Sequence, residues 1–421
     1  MKAYDTYKDS GVQWLGEIPS HWKLLRNKNI FSQHYEPVEK RNDIPLLSLS
    51  IDGVKLRDTE SGKGKFPKDF EKYNVVYPNQ IIFCLFDVDE TPRTVGLCHD
   101  YGMITNAYST FNISDDVLAG YITYYYLAID DVKALRPYYS GLRKVVQSNR
   151  FMQLKVPIPP IAEQEGIVAF LDEKTAAIDD LVAQVEREIE LLKEFKQAEI
   201  ARVVTKGLNP NAPMKPSGIA WIGDIPQHWS ILRNKNLFES HYEPVGDRKD
   251  IPLLSLTTDG VILRDVDSGK GKFPRDFEKY NVVYSKQIIF CLFDIDETPR
   301  TVGLNHNYGM ITNAYDTFNI IESNVLPRFI TNYYLAVDNI KALRPHYTGL
   351  RKVVQYGKFM QLKVPVPPFE EQQEIVDYID RKTTEIDRLV VELTYQVEYL
   401  KEYKQRLIAD VVTGKINVQR N

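Results

Sequence analysis

The chain has 421 residues, 43% of them hydrophobic and 26% charged. At roughly 150 residues per domain this length predicts two to four domains with several buried cores, and the ordinary composition excludes disorder, collagen-like repeats and membrane spans. The 53 Lys plus Arg against 57 Asp plus Glu leave a net charge of −4, which excludes a chain coated in positive charge, so any nucleic-acid contact has to rest on local basic patches.

The longest uninterrupted apolar run, residues 81–86, is far shorter than the roughly 20 residues of a spanning helix, and the N-terminus is too polar for a signal peptide. A cytoplasmic protein is expected. Three cysteines, Cys84, Cys98 and Cys291, fit a reducing compartment better than a disulfide framework.

In chain order, the dominant feature is a tandem repeat. Residues 10–113 align without gaps to residues 217–320, and 25 of the 104 positions differ. Blocks recur whole: DIPLLSL at Asp43 and Asp250, DFEKYNVVY at Asp69 and Asp276, DETPRTVGL at Asp89 and Asp296. One residue is inserted near Ile321, and the similarity continues through RP(Y/H)Y(S/T)GLRKVVQ at Arg136 and Arg344 and KVP(I/V)PP at Lys155 and Lys363. A unit of about 207 residues is too long for a solenoid repeat. Each half reads as a domain plus an appendage.

Residues 31–155 carry many aromatics, short β-type runs such as NVVY and QIIFCLF, and Gly, Pro, Asn and Asp turns, which predicts a mixed α/β domain with a short helix over 123–135. After Pro159 and Pro160 the pattern is helical for roughly 44 residues without a proline. Stepping by four and three from Ile167 reaches Leu171, Lys174, Ile178, Leu181, Val185, Glu188, Leu192 and Phe195, which is heptad spacing with two polar breaks. The second copy steps through Ile375, Ile379, Lys382, Ile386, Leu389, Leu393, Gln396, Leu400, Tyr403 and Leu407. Such a seam needs a partner helix, and the obvious one is the other copy; the alternative is that each helix packs on its own domain. The segment 205–218, rich in Pro, Asn and Gly, reads as an exposed connection. The predicted divisions are 1–158, 159–206, 207–366 and 367–421.

Between residues 136 and 162 lie five bases and no acid: Arg136, Arg143, Lys144, Arg150 and Lys155, interleaved with Tyr138, Tyr139 and Phe151. The second copy has Arg344, Arg351, Lys352, Lys358 and Lys363 with His346 and Tyr347. Such patches can neutralise phosphates despite an acidic total, and Gly141 and Gly349 would allow close backbone approach. The SGKGKFP loop, with Lys63, Lys65, Lys270 and Lys272, is either a second cationic contact or a solvated turn. Residues 161–206 carry 11 acids and 6 bases, net −5, which suits a protein-docking surface better than DNA.

No pattern predicts catalysis, a cofactor or a metal. The Gly–Lys pairs do not complete a phosphate loop, and no Gly-rich loop suggests an S-adenosylmethionine site. Asp87, Asp89 and Glu90 in FDVDETPR, and their copies in FDIDETPR, read as a polar β-turn rather than a nuclease carboxylate site. Cys98 beside His99 becomes Asn305 beside His306 in the second copy, which argues against a metal ligand.

The order SG(V/I)xW(L/I)G(E/D)IPxHW, variable domain, PPxxEQ, then a long helix ending in A(R/D)VVT occurs twice, and TGKINV follows the second helix. It resembles the specificity subunit of type I restriction-modification systems over nearly the whole chain. IPxHW at Ile18 and Ile225 and PPxxEQ at Pro159 and Pro367 are its most specific motifs. The resemblance implies an α+β fold: two similar mixed α/β target-recognition domains in tandem, each followed by a long helix, the helices pairing as an antiparallel coiled coil with pseudo-two-fold symmetry. It implies a non-catalytic subunit that reads a split double-stranded DNA sequence, docks two methyltransferase subunits and joins restriction or translocase subunits, away from any membrane. The alternative is a stand-alone nuclease or methyltransferase with an unrecognised site.

Helices of about 35 ordered residues would span roughly 50 Å, or about 15 base pairs. Because the two domains are near-copies, a palindromic or near-palindromic target is expected. Of the differences between copies, most are conservative and a few change chemistry, such as Lys55/Ile262, Asn79/Lys286, Cys98/Asn305, Asp100/Asn307, Ser109/Asp316 and Tyr138/His346.

Overall fold

Three apolar residues in a row at 81–83 demand a strand covered on both faces. In the computed structural model, which describes residues 3–41, 43–57, 70–264 and 277–420, Ile81–Phe83 is an inner strand of a four-stranded antiparallel sheet. The order is Phe31–His34, Ser109–Ile113, Ile81–Phe83, Val95–Leu97, and Phe111 pairs with Gln33 on one side and Ile81 on the other. Phe31, Phe83 and Phe111 pack with Tyr126 of the helix Ala119–Asp131 and with Phe151; the Phe83 ring centre lies 4.8 Å from Tyr126 and 4.9 Å from Phe151. The Tyr126 hydroxyl donates to Asn27 Oδ1 at 2.6 Å and Asn27 Nδ2 donates to the Phe151 carbonyl at 2.8 Å, so these two buried side chains of the aromatic core are hydrogen-bonded.

The second copy repeats the order with Phe238–Ser240, Asp316–Ile320, Ile288–Phe290 and Val302–Leu304, and Tyr334 donates to Asn234 at 2.7 Å. The short helix expected over 123–135 sits earlier, at Ala119–Asp131, with Pro327–Asn339 as its counterpart. It ends there because the chain turns at Lys133, whose φ is +49°, and Leu135 then tucks inward instead of extending the helix.

The two quoted motifs meet at the start of each long helix. Gln164 is fully buried; its Oε1 accepts from the Leu118 amide at 2.8 Å, and its Nε2 donates to the carbonyls of Pro159 at 3.0 Å and Asp116 at 3.1 Å. Glu163 accepts from Trp22 Nε1 at 3.0 Å, from the Tyr4 hydroxyl and, at 2.8 Å, bonds His21 Nε2. In the second copy Gln372 bonds Leu326, Pro367 and Asn324, and Glu371 bonds Trp229 at 3.1 Å and His228 at 2.7 Å.

The long helices run Ile161–Lys206, 46 residues, and Phe369–Val412, 44 residues, close to the proline-free helical stretch of roughly 44 and longer than the 35 used for the span. The chain divides into two compact units that ignore chain order: residues 1–186 with 395–421, and residues 187–394. Within the first, Lys404 pairs with Asp179 at 2.6 Å and Lys401 with Glu186 at 2.8 Å. Within the second, Lys196 pairs with Asp387 at 2.6 Å and the Tyr378 hydroxyl donates to Glu199 at 2.6 Å. Numbers rise on one helix as they fall on the other, so the pairing in each unit is antiparallel. Among the described residues no helix is long and apolar enough to cross a membrane.

The seam corrects the expected heptad. Ile167, Leu171, Ile178 and Val185 are buried, but Leu181 is exposed and Leu192 half-buried; the buried stripe continues through Thr175, Val182 and Ile189 instead. On the second helix Ile375, Ile379 and Ile386 are buried, Leu393 and Leu400 half-buried, and Leu389 is exposed, with Val397 buried in place of a polar break at Gln396. From each anchor the seam steps four before three, and the sequence offers apolar neighbours on both sides, Leu181 with Val182 and Leu389 with Val390, so periodicity alone does not decide. The polar breaks at Lys174, Glu188, Lys382 and Gln396 fall beside the seam.

Each helix end is buried in a globular domain. Val203 and Val204 join the core of the second, and Val411 and Val412 are buried in the first unit, where the Tyr121 hydroxyl donates to the Val412 carbonyl at 3.3 Å. Gly414, at φ +78°, ends the second helix against Pro19 and Trp22, where a Cβ would clash with the Pro19 ring.

Two outcomes follow from the helix pairing. Ile189→Ala is expected to cost about 2–4 kcal/mol and Leu181→Ala less than about 0.5 kcal/mol, read from denaturant midpoints; the reverse ranking would restore the originally expected register. The Arg202 guanidinium, followed by the Tyr378 hydroxyl, holds the Glu199 carboxyl down at about 2 from its ordinary 4.5. A carboxyl depressed on folding stabilises the fold above its unfolded pKa, and that contribution is lost as pH falls from about 4.5 toward 2. Glu199→Gln is therefore expected to flatten the melting temperature against pH across that window, and an unchanged acid slope would reject the assignment.

Candidate nucleic-acid interface

The acid-free stretch folds as a two-stranded hairpin, Tyr139–Ser140 with Val145–Val146, preceded by a 3-10 turn at Arg136–Tyr138 and followed by the one-turn helix Ser148–Phe151. Its turn closes with the Lys144 amide donating to the Gly141 carbonyl at 3.0 Å. Gly141 is required by its φ of +77°; no atom lies within 4 Å of a Cβ built there, so the turn conformation, rather than a close approach within the fold, explains the glycine.

The basic stretch and the FDVDETPR turn are distant in the chain, and the fold brings them together. The Asp87 amide donates to the Arg143 carbonyl at 2.7 Å and the Val146 amide to the Leu85 carbonyl at 2.8 Å. The Arg143 guanidinium lies 5.0 Å over the Phe86 ring and 3.0 Å from Asp87. Lys144 pairs with Glu90 and, at 3.4 Å, with Asp89; Arg136 reaches Asp89 at 3.1 Å and the Tyr139 hydroxyl donates to Asp89 at 2.9 Å. The carboxylates are thus engaged by cations, and the Glu90 and Thr91 amides both return to the Asp87 carbonyl, as a turn requires. Their copies do the same: Arg351 with Asp294 at 2.7 Å and over Phe293 at 4.8 Å, Arg344 with Asp296 at 3.1 Å, Lys352 with Glu297 at 2.7 Å and Asp296 at 3.2 Å.

The electrostatics follow from this pairing. The Arg136 guanidinium holds Asp89 below the usual carboxylate range, and Arg344 does so for Asp296. Glu90 raises Lys144, Glu297 raises Lys352 and Asp294 raises Arg351. The arginines remain solvent-facing, with side chains 63% exposed at Arg136 and 70% at Arg143, so their remaining N–H groups are open to a further acceptor.

Tyr138 is half-buried and, with Arg150 and Lys155, lines an open groove that also holds Trp14 and Tyr125; Arg150 donates to the Tyr138 carbonyl at 3.4 Å. His346 is half-buried and Lys358 exposed. Lys63, Lys65, Lys270 and Lys272 lie outside the described residues. Cys98 and Asn305 are both fully buried; burial pushes the Cys98 thiol up to about 11, and Asn305 Nδ2 donates to the Tyr284 and Asn307 carbonyls. That difference between the copies is internal, whereas Lys55 and Ile262 are exposed on matching strands.

A family model described as the type I restriction modification DNA specificity domain matches residues 99–191 and 275–398, just over half of the chain. The chain is 24% identical to the putative type I restriction enzyme MjaX specificity subunit of Methanocaldococcus jannaschii over 67% of its own length and 64% of that protein's. It is 23% identical to the MjaVIII specificity subunit of the same organism, over 65% of each. The match therefore spans just under two thirds of these relatives. The EcoBI specificity subunit of Escherichia coli is 20% identical over 90% of this chain and 81% of its own. Among solved structures, a chain from work on complex assembly and conformational transition of the type I R-M system superposes with a TM-score of 0.67 at 13% identity, covering 95% of this chain and 99% of that one. The HsdS subunit from Thermoanaerobacter tengcongensis gives 0.51 at 14% identity, covering 95% and 98%, and both show the fold. With the family match falling in both repeats, the chain belongs to the type I restriction modification DNA specificity domain family.

Proposed function

We propose that this chain is the DNA sequence-specificity subunit of a type I restriction-modification complex, acting in the cytoplasm by binding without chemistry. It reads a bipartite double-stranded DNA target, one half-site per globular domain, and scaffolds two methyltransferase subunits together with restriction subunits. The observation that carries the reading is the family match in both repeats, each of which contains the same cationic hairpin.

Arg136, Tyr138, Arg143, Lys144 and Arg150, with Arg344, His346, Arg351, Lys352 and Lys358, are the DNA contacts in this reading. Phosphates would replace or share the carboxylate partners of the hairpin cations and so position each domain. The two hairpins carry the same ion pairs, which favours half-sites read by the same side chains and hence a palindromic or near-palindromic target. The distal helix presents Tyr395, Tyr399 and Tyr403 to solvent at four-residue spacing, and the proximal helix is acidic, features that suit a docked protein better than DNA.

The decisive experiment is the genomic methylation motif of a host carrying the intact system. One split motif with matching half-sites is expected, and two unrelated half-sites would reject the symmetric target. In binding assays Arg143→Ala with Arg351→Ala is expected to weaken affinity and flatten the salt dependence by about two in slope. An unchanged slope would reject both as phosphate contacts.

A further inference from the structure

Each hairpin holds one side chain out from everything else. Leu142 and Leu350 are each 103% exposed, although their neighbours are tied down. Gly141 and Lys144 close the turn, the Arg143 carbonyl accepts from the Asp87 amide, the Arg143 guanidinium is stacked on Phe86 and paired with Asp87, and Lys144 is paired with Glu90. Gly349, Arg351 and Lys352 repeat these contacts around Leu350. Single exposed leucines are ordinary on protein surfaces. These stand at the tip of a turn bonded on both sides, so seating them on a partner orders little besides one side chain.

We infer that Leu142 and Leu350 are apolar wedges that enter a groove of duplex DNA and press on a base step, while Arg143 and Arg351 hold the flanking phosphates. This rests on the DNA-specificity reading above. A leucine wedge needs only one projecting apolar side chain with cations beside it, and its insertion unstacks and bends the duplex. A protein interface would need roughly 800 Å² per partner with an apolar centre. The residues flanking Leu142 in the tip are Ser140, Gly141, Arg143 and Lys144, which supply none.

The test uses the purified full chain and a duplex recovered by it from a randomised pool, labelled at its ends for energy transfer and carrying 2-aminopurine at successive steps. The parent chain is expected to bend the duplex and to raise 2-aminopurine fluorescence at one step per half-site. Leu142→Ala with Leu350→Ala is expected to lose both signals and about tenfold in affinity per tip, with unchanged circular dichroism, and Leu→Met at both positions to restore them. Ala variants that bind and bend DNA like the parent overturn the wedge alone. Ala variants that bind DNA normally but no longer retain a methyltransferase subunit overturn it in favour of a protein-docking tip. A parent chain that recovers no duplex overturns the DNA reading and the wedge with it.

Discussion

A carboxylate, buried at Glu163 and half-buried at Glu371, and a buried amide beside it at the head of each long helix govern how the globular and helical parts of this chain are joined. Glu163 accepts from the Trp22 indole N–H, and Gln164 ties the helix start to three backbone groups of the domain. Leaving such groups without partners in a dry environment would cost roughly 1–3 kcal/mol each. The helix therefore cannot swing away from its domain without breaking several bonds together. The direction in which each helix leaves its domain follows from this clamp.

The far end of each helix is fixed by a different force. Two consecutive valines, at 203–204 and 411–412, are inserted into apolar cores, and a glycine with positive φ stops the helix immediately beyond. Because the second helix ends against the first globular domain, the first compact unit takes residues from both ends of the chain. Chain order and spatial grouping differ for that reason. The helices in between are held by a heptad stripe and by cross-helix pairs such as Lys404 with Asp179, the exposed members of which contribute little individually.

The net charge of −4 averages over unlike neighbourhoods. The first long helix alone, at net −5, is more acidic than the whole chain, and even the basic hairpins elsewhere are paired with carboxylates from the adjoining loop. The consequence is a tip whose arginines are oriented in advance and whose charge is moderated, so non-specific attraction to phosphate is weaker than five unpaired bases would give. A preorganised cation that exchanges one acceptor for another spends less entropy on binding than a flexible one.

Much of this was legible in the sequence. The duplication, the proline-marked helix starts, the aromatic α/β core and the family motifs are local patterns, because backbone preference and hydrophobic period act over a few residues. What the sequence left undecided involved groups far apart in the chain. The seam register turned on whether Leu181 or Val182 faced a partner, and both fit the period. The engagement of Asp87, Asp89 and Glu90 by Arg143, Arg136 and Lys144 spans about fifty residues, and nothing local announces it. The isolation of Leu142 likewise emerges only when its neighbours are bonded elsewhere. Composition and periodicity determined which segments would fold and into what. Only tertiary packing decided which charges are neutralised, which apolar stripe is buried and which side chain remains exposed, because each depends on atoms that the folded chain alone brings within a few ångströms.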